Sequence, residues 1–447
     1  MTITVLTPTG TLGYGFGAEA LKRGMSFSPD VIAVDAGSTD PGPAYLGSGT
    51  PLCARQVVKR ELEQLIEAAT TAGIPLVVGS AGGSGRGEVV DWTCDIVREI
   101  ATQRRQRLKL SWIYADVAPE RVTYALDAGE IRDHEAGFMP TAEDIEASSA
   151  IVAQMGWEPI ANAIDMDADV IIAGRACDDL AIAAYPIAKG ADIGLATHMG
   201  KILECGAFSA EPFAMDVMLG FLGDDHFSLE PGSLQRRASL KSVAAHSLYE
   251  REDPFRQLGP GGAVDLRNCR FEPDGKRRVK VSGAAFVADD EYWVKLEGAR
   301  PVGYRSMCMA GIRCPTMIER LDDLLEDARQ RTVSHFAPDA LGITFRVYGR
   351  DGVMGSLEPK AAEPAHELGL LMDVTAANQE LAHGACHFLS GHLLHVAYPG
   401  QINTSGNLAF PYSPSDVDTG EVYEFSLYHL MKAVSCTELF PVEIETV

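Results

Sequence analysis

Short apolar runs alternate through the first half of the chain with longer stretches in which apolar residues recur three and four positions apart. The runs at 3–6, 31–34, 75–78, 110–114 and 170–173 predict strands, and 55–72, 89–103, 120–126 and 145–155 predict helices. Such alternation requires crossover connections, which bring a largely parallel sheet with them. After about residue 255 the rhythm changes to Gly-Pro-Gly-Gly, an Arg-rich segment and short strand-like runs at 278–282 and 292–296. Further on, 315–331 predicts an amphipathic helix, 343–347 a strand, 374–394 a helix and 422–428 a last strand before an apolar tail. The break falls near 255 or near 335; a division at 335 gives an N-terminal α/β domain over 1–335 and a C-terminal α+β domain over 336–447.

Polar chemistry gathers at the ends of the predicted strands. Asp35-Ala-Gly-Ser-Thr-Asp-Pro-Gly-Pro43 hangs two carboxylates and two hydroxyls on the run Val31-Ile-Ala-Val34. In an open α/β sheet, ligands bind at the carboxyl edge of the strands, where loops collect and helix N-termini point their free N–H groups. The loops Thr9-Gly-Thr-Leu-Gly-Tyr-Gly-Phe-Gly17 and Gly79-Ser-Ala-Gly-Gly-Ser-Gly-Arg-Gly-Glu88 are glycine-rich and open helices; the second, with Ser80, Gly82, Gly83 and Arg86, is the better anion cradle. Tight strand-to-helix turns explain the same glycines on steric grounds alone. A third cluster, Ala173-Gly-Arg-Ala-Cys-Asp-Asp179, supplies Arg175 as a carboxylate-matched fork, and Asp178 as its orienter or, with Asp35 and Asp40, as a ligand to a divalent metal. His198, Lys201, Glu204 and Cys205 bring a proton carrier, a cation, a carboxylate and a thiol together, although a satisfied histidine and a buried thiol are the competing readings.

Composition narrows the classes. With 447 residues, 46% of them apolar and 22% charged, the chain is expected to fold as a soluble globular protein with more than one core. A net charge of −24 argues against binding a phosphate backbone, so no nucleic-acid role is expected. The N-terminal residues lack a basic region followed by an apolar block and no run is long enough to span a bilayer, so no membrane role and a cytoplasmic location are expected. Nine scattered cysteines without a Cys-x-x-Cys pair suit reduced thiols. Neither glycine-rich loop ends in Lys-Ser/Thr and none reads Gly-x-Gly-x-x-Gly, so there is no signature of ATP, NAD or pyridoxal phosphate. His383 and His387 share a helical face, but no His-Glu-x-x-His motif supports zinc there, and a packed helix is the simpler reading. Asn403 and Asn407 offer neutral donors to a substrate, while Asx turns account for them equally.

Asp35-Ala-Gly-Ser-Thr-Asp-Pro-Gly-Pro43 with Tyr45-Leu-Gly-Ser-Gly49, Gly79-Ser-Ala-Gly-Gly83, Gly174-Arg175 with Asp178, and His198-Met-Gly-Lys-Ile-Leu-Glu-Cys-Gly-Ala207 resemble the signature blocks of the acyclic terpene utilisation AtuA-like family. The resemblance covers most of the chain and implies a large N-terminal α/β domain followed by a ferredoxin-like domain. Asn407-Leu-Ala-Phe-Pro-Tyr-Ser-Pro-Ser-Asp416 and Tyr423-Glu-Phe-Ser-Leu-Tyr-His429 are similar to that second part.

Residues and resemblance together lead to an expectation of a redox-cofactor-independent enzyme that acts on a small carboxylic acid or its CoA thioester. It would move protons next to a carbonyl, as a hydratase/dehydratase-type lyase or an isomerase. Arg175, Ser38 and the glycine loops would bind the acid group, Asp35, Asp40 or Glu204 would act as base, and His198 or Lys201 as returning acid. Two alternatives stand beside it: a hydrolase or acyl-transfer enzyme using Cys205 or Ser80 with His198, without a Gly-x-Ser-x-Gly elbow, and a non-catalytic small-molecule-binding subunit. A homo-oligomer is expected in either case.

Overall fold

The computed structural model describes residues 2–38, 42–134, 136–249, 253–402 and 404–447. The chain divides into two compact units, Met1–Arg300 with Phe425–Val447, and Pro301–Glu424. The breaks therefore fall at 300 and 424 instead of near 255 or 335, because the C-terminal residues return to the first unit.

The first unit is built on a mixed sheet, ten-stranded among the described residues. Its centre is parallel, in the order Ile3–Thr7, Val31–Asp35, Leu76–Gly79, Val170–Ala173, Lys109–Ile113. Antiparallel strands flank it: Met218–Leu222 and His226–Pro231 extend one side, and Val442–Thr446, the apolar tail, pairs with Lys109–Ile113 on the other. The central strands are mostly apolar because both faces are covered. Alternate residues serve opposite cores: Val5, Val31, Ala33 and Val77 point into one, and Leu6, Ile32, Val34 and Val78 into the other. Helices Arg55–Ala72 and Gly87–Arg104 cover the second face, and Glu158–Asp165, Asp178–Ala188 and Ile193–Leu203 the first.

Three predicted helices are corrected. Of residues 145–155 only Ile145 and Glu146 are helical, as the end of the short helix Ala142–Glu146 that Thr141 caps; beyond it the β-branched pair Ile151 and Val152 joins strand Ala150–Ala153, antiparallel to residues 296–299. Residues 315–331 are two helices, Pro315–Glu319 and Leu321–Phe336, broken at Arg320. Residues 374–376 end strand Leu368–Ala376, and the helix starts only at Gln379, where Asn378 accepts a hydrogen bond from the Leu381 amide at 2.9 Å.

In the second unit, Leu368–Ala376 pairs antiparallel with Gly342–Tyr348 on one side and with residues 304–312 on the other. Its residues alternate between buried and half-buried, so one face packs under helices Leu321–Phe336 and Gln379–His395. His383, His387 and His392 each meet a different carboxylate, Asp418, Asp416 and Asp327, at 2.9, 2.8 and 3.1 Å. Among the described residues no helix is long and apolar enough to cross a membrane.

Candidate functional site

Because the five central strands are parallel, their carboxyl ends share one edge, and the loops that leave them lock together there. A Cβ on Gly37 would sit 2.5 Å from the Ser80 Cβ, and one on Gly85 (φ +67°) would sit 2.1 Å from the Arg175 nitrogen. Ser80, itself at φ +46°, accepts from the Ala176 amide at 3.2 Å and from Arg175 Nη1 at 3.1 Å. The loops after Val31–Asp35, Leu76–Gly79 and Val170–Ala173 thus form one rim.

A cleft of about 480 Å³ opens at this edge, within the range of about 300–1,000 Å³ common for small-molecule sites. Asp35, Ser38, Asp178, Glu204 and Cys205 line it with Gly10 and Thr11, and its walls are Tyr14, Phe208, Phe213, Met215 and Tyr249, with Ser242 and His246. Asp35 ends its strand and is 4% exposed. Its Oδ2 accepts from the Gly37 amide at 3.1 Å, whereas the buried Oδ1 has no hydrogen-bond partner among the described residues. Burial first, and then the neighbouring Asp178, raise its pKa well above the usual carboxylate range despite the opposing pull of Arg175. Glu204 caps the end of helix Ile193–Leu203, 2.6 Å from the Lys201 ammonium one turn earlier. Burial outweighs that ammonium and, with Asp178 and Asp179 adding repulsion, pushes Glu204 up to about 8. Lys201 also lies over the Tyr249 ring at 5.3 Å.

Several expected roles do not match the geometry. Arg175 is fully engaged inside the protein: Nε and Nη2 donate to Glu297 at 3.0 and 3.1 Å, and Nη1 reaches Asp178 at 3.2 Å. Its fork is spent on a buried carboxylate, so it does not face the cleft as a substrate clamp. Lys295 completes the cluster, donating to Tyr428 at 2.8 Å and standing 2.9 Å from Glu297, whose carboxyl is held low, at about 2. The glycine-rich loop is a packing device. Gly83 and Gly85 donate their amides to Ser80 and Ala81, and a Cβ on Gly82 or Gly83 would lie 2.5 Å from Val89 or Leu52. Arg86 holds the Leu46 and Gly47 carbonyls at 3.1 and 2.9 Å and pairs with Glu88. His198 is a core residue, with Nε2 2.9 Å from the Ser247 hydroxyl, Nδ1 3.8 Å from Cys269 and its ring edge-on to Phe227. Asn407 donates to the Leu393 and Val396 carbonyls at the end of helix Gln379–His395. Asp40 and Asn403 lie outside the described residues. As for a metal, among the described residues no group of three or more His, Cys, Asp or Glu side chains is placed to hold an ion, and one oxygen of Asp178 is taken by Arg175.

Sequence reasoning missed Glu297 and the aromatic walls. Glu297 stands two residues from Lys295 on one face of strand Trp293–Ile312, a signal of ion pairing that was there to be read. Phe208 lies in the single 3₁₀ turn Gly206–Ser209, and Phe213 and Met215 in the irregular link before strand Met218–Leu222.

The family model described as acyclic terpene utilisation family protein AtuA matches residues 54–224 and 233–408, a span that includes Asp178, Glu204 and Cys205 and begins after Asp35. No curated protein and no solved structure matches the chain. With well over half of its length matched to that family, the chain belongs to the acyclic terpene utilisation family AtuA.

Proposed function

We propose that the cleft is the active site of an enzyme that moves protons next to a carbonyl, as a hydratase/dehydratase-type lyase or an isomerase. The observation that carries this reading is the pair Asp35 and Glu204 on one cleft, both buried and both pushed toward the protonated form, one of them with an oxygen that has no partner among the described residues. Carboxyls in such surroundings act as general acids near neutral pH and return as bases once they have given up the proton. In a hydration, one carboxylate takes a proton from water as the hydroxyl adds to the β-carbon. The protonated carboxyl, hydrogen-bonded to the carbonyl oxygen, stabilises the enolate, which then collects its proton at the α-carbon. Microscopic reversibility gives the dehydration, and transfer between two carbons without water gives the isomerisation.

Lys201, 2.6 Å from Glu204, sets how readily that carboxyl ionises. Cys205 adjoins Glu204 on the same wall. The hydrolytic alternative has less support, since the Ser80 hydroxyl is buried against Ala176 and the two ring nitrogens of His198 face Ser247 and Cys269. For the second unit we propose the ferredoxin-like arrangement that the resemblance implies; two helices over one face of antiparallel strands support it.

The test is incubation of the protein in D₂O with a panel of α,β-unsaturated and β-hydroxyacyl-CoA thioesters, reading deuterium at the α-carbon by mass spectrometry. Exchange with at least one member, lowered at least about a hundredfold in Glu204→Gln or Asp35→Asn, is the expected result. Exchange that neither substitution alters would overturn the reading.

A further inference from the structure

The charges around the cleft floor are unevenly matched. Asp35, Asp178 and Glu204 line it, yet no Lys or Arg lines it among the described residues. The nearest cations already face carboxylates: Arg175 presents its fork to Glu297 and its remaining nitrogen to Asp178, and Lys201 stands against Glu204. Among the described residues the Asp35 Oδ1 on this floor is buried with no hydrogen-bond partner. Above it the walls are apolar and well exposed, with Phe213 at 65% and Tyr249 at 42%.

A free carboxylate entering this floor would give up its water beside the Asp178 carboxylate and find no lining Lys or Arg among the described residues to meet it, a penalty that a neutral group avoids. A carbonyl offers Asp35 an acceptor, and a hydrocarbon chain covers Phe213 and Met215. We infer that the cleft takes a neutral carbonyl head group, an ester, thioester or amide, carried on an apolar chain, and discriminates against the free acid of the same chain. This rests on the reading of the cleft as the reaction site and adds the substrate's charge and shape to it.

Calorimetric titration of the full chain at neutral pH with octanamide, octanoate and acetamide tests it. Octanamide is expected to bind at least about tenfold more tightly than octanoate, and acetamide not measurably; Phe213→Asp, at an exposed position, is expected to lower octanamide affinity about tenfold. Octanoate binding as tightly as octanamide, no octanamide binding up to its solubility, or an unaltered affinity in Phe213→Asp would each overturn the inference. Binding is read here without turnover. Tight octanamide binding alongside a failed deuterium-exchange test would remove the proton-transfer reading and leave this one standing.

Discussion

Replacing Glu204 with Gln removes the charge while keeping an oxygen for Lys201 to donate to, so the variant isolates ionisation from packing. A carboxyl moved from 4.5 to about 8 costs up to about 5 kcal/mol once it is forced to ionise, at about 1.4 kcal/mol per factor of ten. The group is 5% exposed, so solvent does little to reduce this, and about 5 kcal/mol stands as a ceiling. The sign follows from proton counting. Between 4.5 and about 8 the native state holds a proton that the unfolded chain has released, so the stability Glu204 contributes is fully present below 4.5 and is lost as pH rises through about 8. At about pH 6 wild type and Glu204→Gln both present a neutral side chain to the core, whereas at about pH 9 only wild type holds a buried charge. Thermal unfolding followed by circular dichroism at both pH values should therefore find the variant's advantage over wild type larger at the higher pH than at the lower by at least about 1 kcal/mol, or roughly 2 °C in a large domain, since at about pH 6 only part of the cost of the raised carboxyl has set in. A difference between the two proteins that does not change with pH would refute the reasoning.

Arg175→Lys keeps a charge but loses the fork that meets Glu297, and should destabilise the first unit by about 3–5 kcal/mol in urea unfolding; a loss below about 1 kcal/mol would mean that the buried cluster is not structural. Gly85→Ala sets a Cβ 2.1 Å from the Arg175 backbone and should abolish soluble folded protein, whereas Gly129→Ala, at a similar positive φ in open space, should cost only about 1 kcal/mol. His198→Leu should lower stability by about 1–3 kcal/mol through its lost bond to Ser247 and leave the pH profile of deuterium exchange unmoved; a shifted profile would return His198 to the proton-transfer machinery.

The parallel core was legible because strands buried on both faces read as unbroken apolar runs, and 31–34 was placed to within a residue of Val31–Asp35. Asp35 was legible for the same reason: a carboxylate at the end of such a run has one edge of the sheet to occupy. Glu204 was found by its neighbours, but its burial comes from the fold around it. Arg175 shows where local reading stops, since a guanidinium near two acids looks available until Glu297, 122 residues further on, takes its fork. His198 looked like chemistry because its helix carries Lys201 and Glu204, yet the helical turn directs it into the core against Phe227. Residues 145–155 read as a helix because apolar residues three and four apart occur there, while the β-branched pair and a distant partner strand decided otherwise. The aromatic walls carry no periodicity and could not be assigned from pattern alone.

The claim on which all of this depends is that a cleft carboxyl holds its proton at neutral pH. Infrared difference spectroscopy across a pH titration, comparing wild type with Glu204→Gln, reads the carbonyl stretch of the protonated side chain directly. The account predicts a band that disappears with a midpoint near 8 and is missing from the variant; a Glu204 carboxyl already ionised below about pH 5, the ordinary range for glutamate, would contradict it.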